Sequence, residues 1–172
     1  MFKRGSTYTR EDIANIVRPN NPPRGGDWTT GYARIEDELF IFMNIGVAGR
    51  TRHDFENHYD EKSGTLVWFS KPNKHSSNPL FQRLIYGDLT PYFFARWNQK
   101  PPFTFLGNGS ILNFEDGYKT SQGHECVRFV ISVDELQDII SPYQTQVNNP
   151  IVQGEIQEKS SFYFEKQLED FL

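Results

Sequence analysis

The sequence predicts a mainly β fold of the α+β class: a curled sheet or pseudobarrel of about seven strands with short flanking helices. Three observations carry this. Runs rich in aromatic and β-branched residues recur at 28–34, 38–46, 65–70, 91–97, 103–107 and 126–132, the composition that suits a pleated, half-buried surface. Two of them, 38–46 (ELFIFMNIG) and 91–97 (PYFFARW), are apolar on both alternations, as strands covered on both faces are. Turn-forming groups, Arg24-Gly25-Gly26-Asp27, Lys62-Ser63-Gly64 and Gly107-Asn108-Gly109, punctuate the runs.

The helices are short and each has a start signal. Thr9 precedes Arg10-Glu11-Asp12 and an apolar side made by Ile13, Ile16 and Val17, with Pro19 as the stop. Asn78 offers a cap with Pro79 in the first turn, leading through Leu80-Phe81-Gln82-Arg83-Leu84-Ile85 to Gly87. Ser132-Val133-Asp134-Glu135 reads as a capping box opening a helix that Pro142 should end. A recognition domain over 1–142 is therefore expected, followed by a linker-like segment at 143–160. Residues 161–172 carry a helical stripe at 164, 168, 171 and 172 and read as a terminal helix; the segment resembles the entry helix of restriction-fold nuclease domains, which implies such a domain beyond it.

Composition narrows the function classes. Of 172 residues, 37% are hydrophobic and 15% aromatic, enough to close a core in one domain. There is no apolar run long enough for a transmembrane helix, and the start Met1-Phe2-Lys3-Arg4-Gly5 lacks a signal-peptide core. The single cysteine, Cys126, allows no internal disulfide and suits a reducing cytoplasm. The net charge of −4 is unevenly divided: residues 1–100 carry +3 and residues 101–172 carry −7. One basic region on an acidic chain is compatible with a phosphate-bearing partner.

Enzyme signatures are scarce. The histidines, His53, His58, His75 and His124, are spaced 5, 17 and 49 apart, so none forms an i, i+4 metal pair. Asp60-Glu61-Lys62 has the spacing of a restriction-type nuclease core, but His58-Tyr59 before it and Ser63-Gly64 after it read as a turn. The chain itself is expected to be non-catalytic, with no cofactor and no metal. The informative stretch begins at Asn44 and runs through Arg50, Thr51, Arg52, His53, Asp54 and Asn57. There an apolar strand becomes dense in donors: arginine forks match phosphate or guanine, and an asparagine amide matches adenine. A second polar stretch, Lys71-Pro72-Asn73-Lys74-His75-Ser76-Ser77-Asn78, follows the run 65–70. If the runs 38–46 and 65–70 lie side by side, the two stretches flank one groove.

Several patterns carry a resemblance: Tyr8-x-Arg10-x-Asp12-Ile13; Trp28-x-Thr30-Gly31-Tyr32; Phe40-Ile41-Phe42-x-Asn44-Ile45-Gly46-Val47-Ala48-Gly49-Arg50-Thr51-x-His53-Asp54; Trp68-x-x-Lys71; and Pro102-Phe103-Thr104-Phe105-x-Gly107. Across residues 8–107 they resemble the DNA-recognition modules of bacterial restriction systems, either the pseudobarrel effector type or the SRA (SET- and RING-associated) type. The pseudobarrel resemblance implies that two arms of side chains clasp the major groove of double-stranded DNA. Arg50, Arg52 and Asn57 would then read bases, with Thr51 and His53 beside them, while Lys71, Asn73, Lys74, His75, Ser76 and Arg83 would hold phosphates. The SRA resemblance implies a modified cytosine flipped into a pocket, for which Trp28, Tyr32, Asp54 and Trp68 are the candidates. Two readings from other classes stand beside these: a protein- or sugar-binding β domain with stacking aromatics, and a nuclease acting through Asp60 and Lys62.

Overall fold

The computed structural model describes residues 1–46, 57–98, 100–120 and 122–148. Within them the chain forms β1 (Thr7–Tyr8), α1 (Arg10–Val17), a 3-10 turn (Gly26–Thr29), β2 (Tyr32–Ile35), β3 (Glu38–Asn44), β4 (His58–Asp60), β5 (Thr65–Phe69), α2 (Pro79–Ile85), β6 (Thr90–Arg96), β7 (Phe103–Gly107), β8 (Ser110–Lys119), β9 (Glu125–Ser132) and α3 (Leu136–Asn148). The mainly β, α+β class is as expected. The arrangement differs: nine strands are divided between a five-stranded sheet, β1-β7-β6-β3-β2, and a four-stranded sheet, β4-β5-β9-β8, with no closed barrel among the described residues.

Side-chain alternation explains the layers. On β3, Leu39, Ile41 and Met43 face the four-stranded sheet, where they join Trp68, Phe129 and Ile131 in one core together with Phe81 of α2 and Ile140 of α3. Phe40 and Phe42 face the other way, into a second core with Ile13 of α1, Trp28, Phe94, Phe103 and Phe105. β6 divides in the same manner, Phe93 and Ala95 to the first core and Phe94 to the second. The five-stranded sheet is thus buried on both faces, which is why runs 38–46 and 91–97 are apolar on both alternations. β3 and β6 pair in parallel, from Glu38 opposite Thr90 to Asn44 opposite Arg96.

The caps behave as their residues demand. The Thr9 hydroxyl accepts from the Asp12 amide at 3.0 Å and the Asp12 carboxylate accepts from the Thr9 amide at 2.9 Å, a reciprocal box. The Asn78 side chain accepts from the Leu80 amide at 2.9 Å with Pro79 next to it. The third helix departs from expectation. Ser132 remains in β9, α3 starts at Leu136, and Pro142 lies inside a helix that continues to Asn148. Proline costs one hydrogen bond there, and burial of Leu136 and Ile140 in the first core offsets it. The helix therefore runs six residues past the expected boundary at 142, into the segment expected to be a linker. The terminal stripe at 161–172 lies outside the described residues.

Cys126 is 1% exposed and burial pushes its thiol up to about 11. The thiolate is the reactive form, so at pH 8 the native protein should react with a disulfide reagent far more slowly than the urea-unfolded chain. Equal rates for the two would mean that the outward side of β9 is open.

Candidate nucleic-acid interface

The strand register gathers the polar residues of interest at one end of the molecule. β3 and β6 both run toward that end and finish at Asn44 and Arg96. β7 enters there with Phe103 and β2 with Tyr32. β5 leaves there at Phe69 opposite Arg128, and β9 begins there at Glu125. The opposite end holds the turns with most of the carboxylates: Glu36, Asp37 and Glu38 between β2 and β3, Asp60 and Glu61 between β4 and β5, Asp88 before β6, and Asp134 and Glu135 after β9. That end also holds Arg4, Arg18 and Arg83, paired with Glu135, Glu36 and Asp37, and the gathered end holds Asp27, Asp116 and Glu125, so both ends carry charges of both signs.

At the carboxyl end of the parallel pair two guanidiniums meet over one ring. The Arg96 guanidinium lies 4.4 Å and that of Arg10 lies 5.0 Å from the centre of Phe103, and Arg10 is also 4.8 Å from that of Phe42. Such contacts hold a cation at a fixed place at little desolvation cost. Arg96 donates to the Asn44 side chain at 2.6 Å and Arg10 to the Thr30 carbonyl at 3.1 Å. Neither arginine was among the residues expected to contact a ligand. The signal was present in sequence: a cation closing an apolar run that is otherwise buried on both faces.

Asn57 sits at the centre of this end, its side chain bonded at both its nitrogen and its oxygen. Its amide nitrogen donates to the Asn44 carbonyl at 3.2 Å, and its oxygen accepts from the Phe69 amide at 2.9 Å. The Gly46 amide donates to the Asn57 carbonyl at 3.1 Å, and Ile45 and Asn57 form a parallel bridge. The expectation that runs 38–46 and 65–70 are paired is overturned, because they lie in different sheets. Their exits nevertheless converge, since Asn57 bonds to both. Asn57, expected to read a base, is in the structure the tie between the two donor-rich stretches, with one amide N–H and one oxygen lone pair spent on backbone groups.

Arg50, Thr51, Arg52, His53 and Asp54 lie outside the described residues. The second stretch is described, and it divides. Lys71 is committed internally: its ammonium is 3.0 Å from the Tyr32 carbonyl, 4.3 Å above the Tyr32 ring and 3.4 Å from Asp27. Arg83 is at the far end, bonded to Asp37 at 2.8 Å, where it steadies the β2–β3 turn. Ser76 is buried, its amide and hydroxyl donating to the Asp116 carboxylate at 2.7 and 2.5 Å. Ser76 is corrected to a structural role because it is buried with its hydroxyl spent on Asp116, and Arg83 because it lies at the far end; Lys71 is held against Tyr32 and Asp27 within this chain. Asn73, Lys74 and His75 do lie at the gathered end. Asn73, at φ +64°, accepts through its side-chain oxygen from the His124 Nδ1 at 3.0 Å. The Lys74 amide reaches the Glu125 carbonyl at 3.3 Å, and His75 stands 3.4 Å from Asp116 and is exposed.

The proposed base pocket is not assembled. Trp28 packs in the second core, 5.6 Å from Phe40 and 5.3 Å from Phe42, with its indole donating to the Arg10 carbonyl at 3.0 Å. Tyr32 and Trp68 are in the first core, on the other face of the sheet, in edge contact at 5.5 Å. Trp68 stacks on Phe129 at 5.0 Å. Burial, the largest influence on Tyr32, raises its phenol far above the usual range. The three come from different elements, Trp28 from the 3-10 turn, Tyr32 from β2 and Trp68 from β5 of the other sheet, and pack on opposite sides of the five-stranded sheet.

Asp60 and Lys62 form a turn, as their neighbours predict. The Asp60 carboxylate accepts from the Lys62 amide at 3.0 Å and its carbonyl from the Gly64 amide at 2.8 Å. That turn belongs to the end remote from Asn57.

A family model described as a domain of unknown function, DUF3427, matches residues 2–140. The chain belongs to the DUF3427 family. The DUF3427 span contains all nine strands, α1, α2 and the first turn of α3, so both sheets and the convergence at Asn57 fall within it. No curated protein and no solved structure matches the chain. No helix among the described residues is long and apolar enough to cross a membrane.

Proposed function

We propose that this DUF3427 domain is a sequence-specific binder of double-stranded DNA, the target-recognition part of a cytoplasmic restriction-type endonuclease whose catalytic residues lie in another domain. The observation that carries this reading is the convergence at Asn57. Both donor-rich stretches leave from one point, beside two guanidiniums, at one end of the molecule. Phosphates approaching from that end meet Arg10, Arg96 and Lys74, while Arg50 and Arg52 are one short segment away in sequence and able to read base edges. Groove reading is favoured over base flipping, because the aromatics proposed as a flipping pocket are core residues.

The test is titration of a labelled random-sequence duplex, and of a pool selected by binding, at two salt concentrations. The expected slope of log K against log salt is about −0.9 per phosphate, with roughly four to eight contacts. Lys74→Ala should weaken both DNAs alike and reduce the slope by about one, whereas Arg50→Ala with Arg52→Ala should remove the preference for the selected pool. Binding that is absent, or present but indifferent to salt, overturns the proposal. Running the selection with and without cytosine methylation separates the two modes of reading. A consensus found only in the methylated pool would favour flipping.

A further inference from the structure

A cavity of about 340 Å³ opens between α1 and the loop that leads toward β2. Glu11, Ala14 and Asn15 line it from the helix, Pro22, Pro23 and Arg24 from the loop, and Trp28 from the 3-10 turn. Small-molecule sites begin at roughly this size, about 300 Å³, and combine apolar walls with a few polar groups. The walls are held from within. The reciprocal box of Thr9 and Asp12 fixes the start of α1, while Trp28 packs on Phe40 and Phe42 and donates its indole N–H to the Arg10 carbonyl at 3.0 Å. Across the cavity, Pro22 and Pro23 restrict the backbone of the loop, and the Trp28 amide closes it by donating to the Gly25 carbonyl at 3.0 Å. The cavity is thus formed by the fold itself.

Its polar groups are free. Glu11, Asn15 and Arg24 are exposed, and none of them makes a side-chain hydrogen bond or ion pair with a described residue. Elsewhere on the surface opposite charges close on each other, as Arg18 does with Glu36 at 3.1 Å and Arg83 with Asp37 at 2.8 Å. Glu11 and Arg24 line one cavity and stay unpaired. We infer that this cavity binds a small zwitterion with an apolar ring, of the class of an aromatic α-amino acid. The ligand carboxylate goes to the Arg24 guanidinium, and its ammonium goes to the Glu11 carboxylate and the Asn15 side-chain oxygen. The ring lies against Trp28, the two prolines and the Ala14 methyl. One carboxylate and one guanidinium sum to zero, which suits a ligand of no net charge; a phosphate monoester would meet repulsion at Glu11. The inference is independent of DNA binding. A solvated groove would also leave the three side chains exposed, but it would show no preference among ligands that differ only in one charge.

The experiment titrates the full chain, labelled with nitrogen-15, with L-tryptophan and follows the Trp28 indole N–H and the Asn15 side-chain amide by nuclear magnetic resonance. Both signals are expected to shift and to saturate together. N-acetyl-L-tryptophan, which lacks the ammonium, and L-tryptophanamide, which lacks the carboxylate, should each bind roughly tenfold more weakly, the usual loss of one charge-assisted contact. Glu11→Gln should reduce the difference between L-tryptophan and its N-acetyl derivative to under twofold while leaving the preference over the amide. Arg24→Gln should do the reverse. Neither side chain has a partner to lose, so both variants should melt with the wild type. The inference is overturned if L-tryptophan leaves the Trp28 and Asn15 signals unmoved, or if the wild-type protein binds all three compounds alike. It is equally overturned if both variants keep the full discrimination. The comparison of the three compounds on the wild-type chain decides the matter even if a variant does not fold.

Discussion

Trp68→Ala should destabilise the protein by about 3–5 kcal/mol, the range for emptying a large aromatic site in a packed core. Trp68 is 2% exposed, stacked on Phe129 at 5.0 Å and met edge-on by Tyr32 at 5.5 Å. Removing it opens a void between the two sheets where β5, β9 and β2 come together, and nothing small nearby can refill it. For a chain of this size each kcal/mol shifts the melting temperature by roughly 2–4 °C, so a drop on the order of 10 °C is expected by thermal unfolding, with a matching fall in the urea midpoint. The result also decides a functional question. If Trp68 were the wall of a base pocket, its loss would leave stability within about 1 kcal/mol of wild type, as for residues away from a core, and would abolish binding of a modified base. A stable Trp68→Ala protein would therefore reverse the assignment made from the packing.

Asn57→Ala should cost about 2–4 kcal/mol and should weaken recognition of the selected DNA more than non-specific binding. The variant removes one acceptor from the Phe69 amide and one donor from the Asn44 carbonyl, and each group left unpaired is worth about 1–3 kcal/mol. The functional loss follows from position: without the tie, the ends of the two donor-rich stretches no longer keep a fixed separation. Asn57→Asp keeps the acceptor and loses the donor, so it should fall between wild type and Asn57→Ala. Hydrogen exchange at the Phe69 amide gives a local readout. An Asn57→Ala protein with wild-type unfolding and undiminished Phe69 protection would show that the bonds of Asn57 contribute nothing.

Local physics was legible in the sequence and distant pairing was not. The caps at Thr9 and Asn78 and the doubly buried runs 38–46 and 91–97 depend on neighbours in the chain, and they appear where the residues place them. β8 was missed because its ten residues, SILNFEDGYK, are mostly exposed and interrupted by two irregularities; its place comes from the ladder it makes with β9, which no pattern within it announces. The assignment of β3 and β5 to different sheets is non-local in the same way. Site residues failed for a different reason. Composition shows that Asn57, Lys71, Ser76 and Arg83 can donate hydrogen bonds. It does not show that the acceptors are the Asn44 carbonyl, the Tyr32 carbonyl, Asp116 and Asp37. Arg10 and Arg96 were passed over because their neighbours are apolar, and that same setting is what fixes them over Phe103.

The bridge between Ile45 and Asn57 has a consequence for how such a domain diversifies. The chain between them starts from one sheet and returns to the other, yet its two ends are clamped together by the bridge and by the Asn57 amide. Lengthening a segment with ends so fixed costs loop-closure entropy of about 0.6 kcal/mol for each doubling. A change in the length of residues 47–56 therefore carries a small closure cost while the bridge keeps its two ends together. Transplanting a segment from one member of the family to another, joined at Gly46 and Asn57, should carry target preference with it.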